Sequence, residues 1–161
     1  MSEKCECVNV RKVVIVGCGF VGSASAFALM QSGLFSEMVL IDVDKDRAEG
    51  EAMDISHGAS FAGPMKIYAG GYEDVGDAAI IVITAGAHQK PKETKLDFVQ
   101  KKPKTPLYSS AASDVYKRQD LVQKNAKIMT DVVTQIKEQE YKGILLIVSN
   151  PVDIMTQLRW K

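Results

Sequence analysis

Four short apolar runs, rich in Val and Ile, constrain the fold of this chain more than any other feature. They read VVIV at 13–16, MVLI at 38–41, AIIVI at 79–83 and ILLIV at 144–148, and none alternates with polar residues. Such runs are typical of strands covered on both faces, as in a parallel sheet. A weaker run, KIYA at 66–69, predicts a further strand.

Segments with helical periodicity separate these runs. One predicted helix presents an apolar face made of Phe20, Val21, Ala24, Phe27 and Ala28. Gly33 is the predicted C-terminal stop of that helix. A second helix carries the apolar stripe Val122, Ala126, Met129, Val133 and Ile136. Strands that alternate with helices predict an α/β fold with a doubly wound parallel sheet.

Composition excludes several classes of partner. Twenty basic residues balance twenty acidic ones, so we expect no binding to nucleic acid or to a membrane surface. No apolar run approaches the ~20 residues of a membrane span. Residues 1–9 have no apolar core of the signal-peptide kind and are expected to form a flexible tail. We therefore expect a cytoplasmic protein.

The three cysteines, Cys5, Cys7 and Cys18, do not form a disulfide framework, since their number is odd. Cys5 and Cys7 could hold a soft metal, but a structural zinc site needs four ligands. His57 and His88 do not have the spacing to complete one. We expect no metal site, and two reduced thiols in the tail.

Three glycines follow the first predicted strand and open the first helix. Gly17, Gly19 and Gly22 form the pattern G-x-G-x-x-G in the strand-to-helix context that a dinucleotide site requires. Gly17 permits a tight turn, Gly19 lets backbone approach a pyrophosphate, and Gly22 lets the helix lie close to the strand. The helix N-terminus attracts the phosphates. By itself the pattern could also be a plain strand–helix turn.

Asp42 supports the nucleotide interpretation. It ends the second predicted strand, twenty positions after Gly22, where a carboxylate can accept hydrogen bonds from both ribose hydroxyls. A 2′-phosphate would be repelled there, which favours NAD over NADP. Asp42 could instead cap the following helix. Strand, glycines and spacing together predict that NAD is the cofactor.

Four segments resemble the N-terminal half of the L-lactate dehydrogenases, within the lactate/malate dehydrogenase family: GCGFVGSASAFALMQSG, IDVDKDRAEGEAMDISHG, VITAGAHQKPKET and SNPVDIMT. The resemblance covers about residues 10–100 and 119–161. It implies a Rossmann NAD-binding domain over 10–161, incomplete relative to the family fold because the C-terminal substrate domain is absent. It also implies an NAD-dependent enzyme of glycolysis that reduces pyruvate with NADH to L-lactate, and homo-oligomeric, tetrameric full-length relatives.

The resemblance also implies site residues. Those expected at the cofactor are Gly17, Gly19, Val21, Gly22, Asp42, Arg47, Tyr72, Gly86, Ala87 and Asn150. Asn150 is also expected at the substrate oxygen. Gln89 precedes KP in the family's active-site loop and is expected to meet the substrate side chain. A neutral Gln suits the methyl group of pyruvate, whereas an Arg would pair with the second carboxylate of oxaloacetate. Gln89 could also be an ordinary surface residue of the loop.

The family's catalytic groups are largely missing. The proton-donating His, its Asp partner and the Arg that grips the substrate carboxylate belong to the family's second half, so residues 1–161 are expected to be an inactive fragment. The carbonyl-polarising Arg closes the family stretch P-G-E-T-R, which here reads PKETK, with Lys95 in its place. Lys keeps the charge but lacks the planar fork of Arg. His57 and His88 are expected to be non-catalytic.

One helix start is written twice, as KLDFVQKK at 95–102 and RQDLVQKN at 118–125. Pro103 and Pro106 prevent the first copy from continuing as a helix. Residues 101–118 therefore look like an insert, either natural or from sequencing-adapter DNA, and we expect a disordered loop. Arg118, at the start of the second copy, is the weaker candidate for the missing loop arginine.

Two other functions stay open. A malate or other 2-hydroxyacid dehydrogenase would share the fold and most motifs, and would also act on a small 2-oxo or 2-hydroxy acid. A non-catalytic NAD-binding module would explain Lys95 and the missing His.

Overall fold

The computed structural model describes the backbone of residues 8–87 and 110–157, with side chains from 122 onward in the second range. Strands and helices alternate along this part of the chain. They are β1 (Asn9–Val16), α1 (Phe20–Ser32), β2 (Glu37–Ile41), α2 (Lys45–Ala59), β3 (Lys66–Ala69), β4 (Ala78–Ile83), α3 (Ser110–Glu138), β5 (Ile144–Ile147) and α4 (Val152–Gln157). The five predicted strands are confirmed. β1 begins earlier than expected, since Asn9 was assigned to the tail.

The strands form one parallel sheet in the order β3-β2-β1-β4-β5. The chain builds outward from β1 in one direction to β3, and then in the other direction through β4 and β5. This confirms the predicted doubly wound α/β fold. The order reverses between β1 and β4, and ligands of such sheets bind in the crevice outside the carboxyl ends of the strands at this point.

Each face of the sheet has its own core, because successive side chains of a strand point to opposite faces. Val13 and Ile15 of β1 pack with α1 and α2, whereas Val14 and Val16 pack on the face that α3 and α4 cover. The buried helix residues on the first face are Ala26, Met30, Ala48, Ala52 and Ile55. Those on the second are Met129, Val132, Val133, Ile136 and Met155. The result is a three-layer α/β/α arrangement.

The predicted face of α1 is wrong. Phe20 is 80% exposed, and Val21 and Phe27 are exposed as well. The buried residues of this helix are Gly22, Ala26 and Met30. Because α1 is apolar nearly all the way round, periodicity could not identify the buried face, and the small residues Gly22 and Ala26 face the sheet. Its predicted end is confirmed, since Gly33 has φ 65° in the left-handed region.

The stripe predicted for α3 is confirmed. Met129, Val133 and Ile136 are buried, and Val122 and Ala126 are partly buried. The helix begins at Ser110, however, so residues 110–118 are helical where we expected a loop. Residues 101–109 lie outside the described residues. Helix-forming Ala residues and the absence of Pro between positions 107 and 138 are consistent with this earlier start.

β5 departs from the expectation that each strand is covered on both faces. Ile144 is 64% exposed and Leu146 is 51% exposed, whereas Leu145 and Ile147 pack toward the core. β5 is the last strand of the sheet, and α1 and α2 pack on the strands nearer its centre. No helix in the described part of the chain covers this face of β5.

A buried lysine lies at the amino end of the sheet. The Lys12 side chain is 6% exposed, and its Nζ is 2.6 Å from Oδ1 of Asp77 and 4.0 Å from Oε1 of Glu37. The Tyr68 hydroxyl donates a hydrogen bond of 2.9 Å to the same oxygen of Glu37. Two ion pairs and one hydrogen bond therefore join Lys12 of β1, Glu37 of β2, Tyr68 of β3 and Asp77, which directly precedes β4.

The buried ammonium group of Lys12 should be stabilised mainly by its ion pair with Asp77. We expect Asp77→Ala to lower the free energy of unfolding by about 2 kcal/mol, because it leaves a buried ammonium group poorly compensated. Lys12→Met removes the charge at similar volume and should cost less than about 1 kcal/mol. Urea denaturation monitored by circular dichroism measures both. Equal destabilisation by the two substitutions would contradict this role.

Candidate functional site

The loop between β1 and α1 is fixed between the ends of β2 and β4. Gly17 has φ 103°, a conformation that favours glycine, and its N–H donates a 2.7 Å hydrogen bond to the carbonyl of Ile41. A Cβ on Gly17 would lie 2.6 Å from the backbone nitrogen of Ala85. Both the dihedral angle and the close approach therefore require glycine, as the pattern predicted for a tight turn.

Gly22 holds the first turn of α1 against this loop. A Cβ there would collide with the carbonyl oxygen of Gly17 and would lie 2.8 Å from Oγ1 of Thr84. The Thr84 hydroxyl donates a 2.7 Å hydrogen bond to that same carbonyl. The close packing that the third glycine was expected to allow is present, and it joins α1, the loop and the end of β4.

Gly19 is the residue that caps α1. Its φ of −74° is open to any residue, so its predicted contact with a pyrophosphate stays a prediction. It provides no side-chain cap, which leaves the positive end of the helix dipole facing the crevice without a competing side chain. Val21, in the first turn of α1, is 51% exposed at this end of the sheet.

Asp42 follows β2 and braces the glycine loop. Its Oδ2 accepts a 2.6 Å hydrogen bond from the N–H of Cys18, and its Oδ1 accepts one of 3.0 Å from the N–H of Asp44. It is not the cap of α2, since Asp44 holds that position and accepts from the N–H of Arg47 at 3.2 Å. Each carboxylate oxygen keeps a further lone pair for a ribose hydroxyl. The half-buried Asp42 therefore fits the sugar.

The negative charge of Asp42 acts on two neighbouring groups, the Tyr72 hydroxyl and the Cys18 thiol. Burial, and then the negative charge of Asp42, raise the pKa of the Tyr72 hydroxyl, which stays a neutral donor. Burial raises the pKa of the Cys18 thiol to about 12, with Asp42 adding to the effect and Arg47 opposing it. Cys18 is therefore an unreactive thiol of the core, and the Asp42 carboxylate lies near the Tyr72 hydroxyl.

The other side of the crevice is built from the loops after β4 and β5. Asn125 of α3 accepts a 2.8 Å hydrogen bond from the N–H of Ala87 and donates one of 2.9 Å to the carbonyl of Asn150. The Ser149 hydroxyl donates to the carbonyl of Ala85 at 2.6 Å. The structure thus brings Ala87 and its neighbour Gly86 together with Asn150, as predicted for a shared site.

Sequence reasoning missed Thr84, Asn125 and Ser149 as parts of this site. Asn125 carried a signal, because it lies three positions after Val122 and four before Met129 on the apolar stripe of α3. A polar residue at a buried helix position must find hydrogen-bond partners. Thr84 and Ser149 gave weaker signals, as polar residues directly following apolar runs.

Several predicted residues cannot be placed in this site. Five of them lie outside the described residues, namely Gln89, Lys95, His88, Cys5 and Cys7. Arg118 belongs to α3, where its side chain is not described, and it follows the start of that helix instead of preceding it. His57 is exposed on the last turn of α2.

The described residues contain no group of three or more His, Cys, Asp or Glu side chains arranged to hold a metal ion. None of their helices has both the length and the apolar character needed to cross a bilayer.

A cavity of about 360 Å³ lies between α3, β5 and α4. Its lining includes Val133, Tyr141 and Thr156 and none of the residues predicted for the nucleotide site. Tyr141 is engaged in hydrogen bonds to the carbonyls of Ala79 and Ile144, which tie the ends of two strands. The cavity is therefore separate from the crevice.

Comparison with known proteins agrees with this geometry. The family model for the lactate/malate dehydrogenase NAD binding domain matches residues 11–105 and 111–161. An L-lactate dehydrogenase of Priestia megaterium is 45% identical over 95% of this chain. The ligand-bound minor L-lactate dehydrogenase of Enterococcus mundtii is 38% identical, covers 93% of the chain and superposes with a TM-score of 0.73.

A malate dehydrogenase is also similar. The enzyme of Archaeoglobus fulgidus in complex with NADH is 35% identical over 92% of the chain, with a TM-score of 0.67. The chain spans 41% of the Priestia protein, 41% of the Enterococcus chain and 44% of the Archaeoglobus chain. The fold is thus incomplete relative to these proteins. By its matched length and its glycine loop, the chain belongs to the lactate/malate dehydrogenase family and represents the family's NAD-binding domain.

Proposed function

We propose that residues 1–161 are the cofactor-binding part of an NAD-dependent L-lactate dehydrogenase, which reduces pyruvate to L-lactate in the cytoplasm. The observation that carries this proposal is the 45% identity to the Priestia megaterium L-lactate dehydrogenase across nearly the whole chain. Gln89 supports it, because a neutral side chain at that loop position suits a substrate with a methyl group.

The cofactor has residues that fit each of its parts. The phosphates meet the amino end of α1 beside Gly19 and Val21, where the helix dipole favours negative charge. Asp42 accepts hydrogen bonds from the adenosine ribose, with Arg47 and Tyr72 beside it. Gly86, Ala87 and Asn150 meet the nicotinamide side. When bound, NADH supplies the hydride that a carbonyl carbon accepts.

The substrate side is less complete in these residues. Asn150 orients the substrate oxygen near the carboxyl edge of the sheet, and Gln89 contacts the methyl group. Lys95 supplies a positive charge that polarises the carbonyl, with Arg118 as the weaker candidate for that role. The proton donor and the carboxylate-gripping guanidinium come from polypeptide that corresponds to the rest of the relatives' length.

Two alternatives remain. The similarity to the Archaeoglobus fulgidus enzyme favours a malate dehydrogenase as the second candidate. A third candidate, favoured by Lys95 at the family's Arg position, is an NAD-binding module without catalytic activity. All three candidates share the residues proposed to bind NAD. The residues proposed to bind the substrate therefore distinguish between them.

The charge of Asp42 should set cofactor affinity. We expect Asp42→Asn to weaken NADH binding about tenfold, because an amide still accepts from the Cys18 N–H but loses the charge-assisted bonds to ribose. Discrimination against NADPH should shrink in the same variant. Fluorescence titration with both nucleotides measures this, with Asp46→Asn on the exposed first turn of α2 as the control. Unchanged NADH affinity would contradict the ribose assignment.

The polypeptide of residues 1–161 should bind NADH without turning it over. The described His57 is exposed on the last turn of α2, and we assign the proton donor and the carboxylate-gripping guanidinium to polypeptide that corresponds to the rest of the relatives' length. We expect no loss of NADH absorbance at 340 nm above background on addition of pyruvate or oxaloacetate. Turnover by the purified polypeptide would disprove this division of roles.

Gln89 should determine substrate choice in a complete enzyme. We would join residues 1–161 to the C-terminal part of the Priestia megaterium relative and compare Gln89 with Gln89→Arg. The ratio of kcat/KM for oxaloacetate to that for pyruvate should rise about 100-fold, since Arg pairs with the second carboxylate. Gln135→Arg, a similar change on the exposed side of α3, is the control. An unchanged ratio would contradict the specificity role of Gln89, and a joined protein that turns over neither substrate would favour the module alternative.

A further inference from the structure

Asn125 is a buried amide in a helix stripe that is otherwise apolar. It is 6% exposed, and of its neighbours on the stripe Val122 is partly buried and Met129 is buried. Placing a polar side chain there is unfavourable unless both of its ends are hydrogen-bonded. Its position within α3 therefore calls for partners outside that helix.

Both ends of this amide bind backbone, and each binds a different loop. Oδ1 accepts from the N–H of Ala87 at 2.8 Å, and Nδ2 donates to the carbonyl of Asn150 at 2.9 Å. A Cβ on Gly86 would lie 3.6 Å from the same Oδ1, so that residue also packs against the side chain. One side chain thus spans the loop after β4 and the loop after β5.

We propose that Asn125 is a positioning residue, which fixes these two loops relative to each other and so shapes the nicotinamide side of the crevice. This inference rests on the proposed function. Asn125 acts through the backbone of Ala87 and Asn150 and is given no contact with cofactor or substrate. The role needs an amide, because one partner is a donor and the other an acceptor. A carboxylate satisfies the Ala87 N–H but repels the Asn150 carbonyl.

The positions of the hydrogen bonds distinguish this positioning role from a general effect of Asn125 on stability. The adenosine side of the crevice is built by Asp42 and the glycine loop, which share no hydrogen bond with Asn125. A change at Asn125 should therefore weaken contacts to the nicotinamide half of the cofactor while leaving the adenosine half in place. A merely structural role would affect both halves alike.

Calorimetric titration of the 161-residue protein with NADH and with ADP tests this. ADP carries the adenosine and both phosphates but lacks the nicotinamide ribose and the nicotinamide. In Asn125→Asp we expect NADH affinity to fall about tenfold and ADP affinity to change less than about twofold. Gln135→Glu, the same chemical change on the exposed face of α3, should alter neither.

Three results would overturn the inference. The first is an equal fall of both nucleotide affinities in Asn125→Asp, and the second is an unchanged NADH affinity in that variant. The third is a loss of both affinities in the control Gln135→Glu as well. If the unaltered protein bound neither ligand, the proposed function would fail first and this inference with it. Binding of ADP but not of NADH to Asn125→Asp would be the largest form of the expected effect.

Hydrogen exchange provides a test that needs no substitution. The Ala87 N–H should exchange at least about tenfold more slowly than an unstructured amide, because its acceptor is buried. Exchange at the unstructured rate would overturn the role of Asn125 even if the variant proved unable to fold.

Discussion

The approach of the Gly17 backbone to Ala85 is the constraint on which the rest of this structure depends. A side chain at position 17 would meet the backbone of Ala85, and the positive φ of 103° turns the chain from β1 into α1. The hydrogen bond from Gly17 to Ile41 fixes the other side of the turn. The start of α1 is thereby placed at the point where the strand order reverses.

Hydrogen bonds extend this constraint around the whole carboxyl edge of the sheet. Asp42 holds Cys18 on the side of β2, and Thr84 holds the carbonyl of Gly17 on the side of β4. Ser149 and Asn125 continue the connection from β4 to the loop after β5. The described loops of the crevice therefore brace one another, and loops that are held in place before binding lower its entropy cost.

Sequence reasoning succeeded where a single physical rule governs the outcome. Apolar runs without alternation predicted the parallel sheet, although within the described residues β5 is covered on one face only. The tight turn at Gly17 and the close packing at Gly22 followed from the glycine pattern, whereas the nucleotide contacts of Gly19 and Asp42 stay predictions. It failed on α1, because that helix is apolar all round and the close approach of Gly22 decides its orientation. Asn125 was missed because its partners are backbone groups of two distant loops, which appear together once the sheet order is known.

The two halves of the proposed site also differ in what they require of the sequence. Cofactor binding depends mainly on backbone placement, which Gly17, Gly22 and Asp42 secure within one domain. Substrate chemistry depends on side chains gathered from several segments, among them the stretch PKETK at 91–95, where Lys95 replaces the family's Arg. The hydrogen bonds that brace the described loops are made by residues at other positions, among them Asp42, Thr84 and Asn125. Cofactor binding can therefore persist where the polarising group has changed.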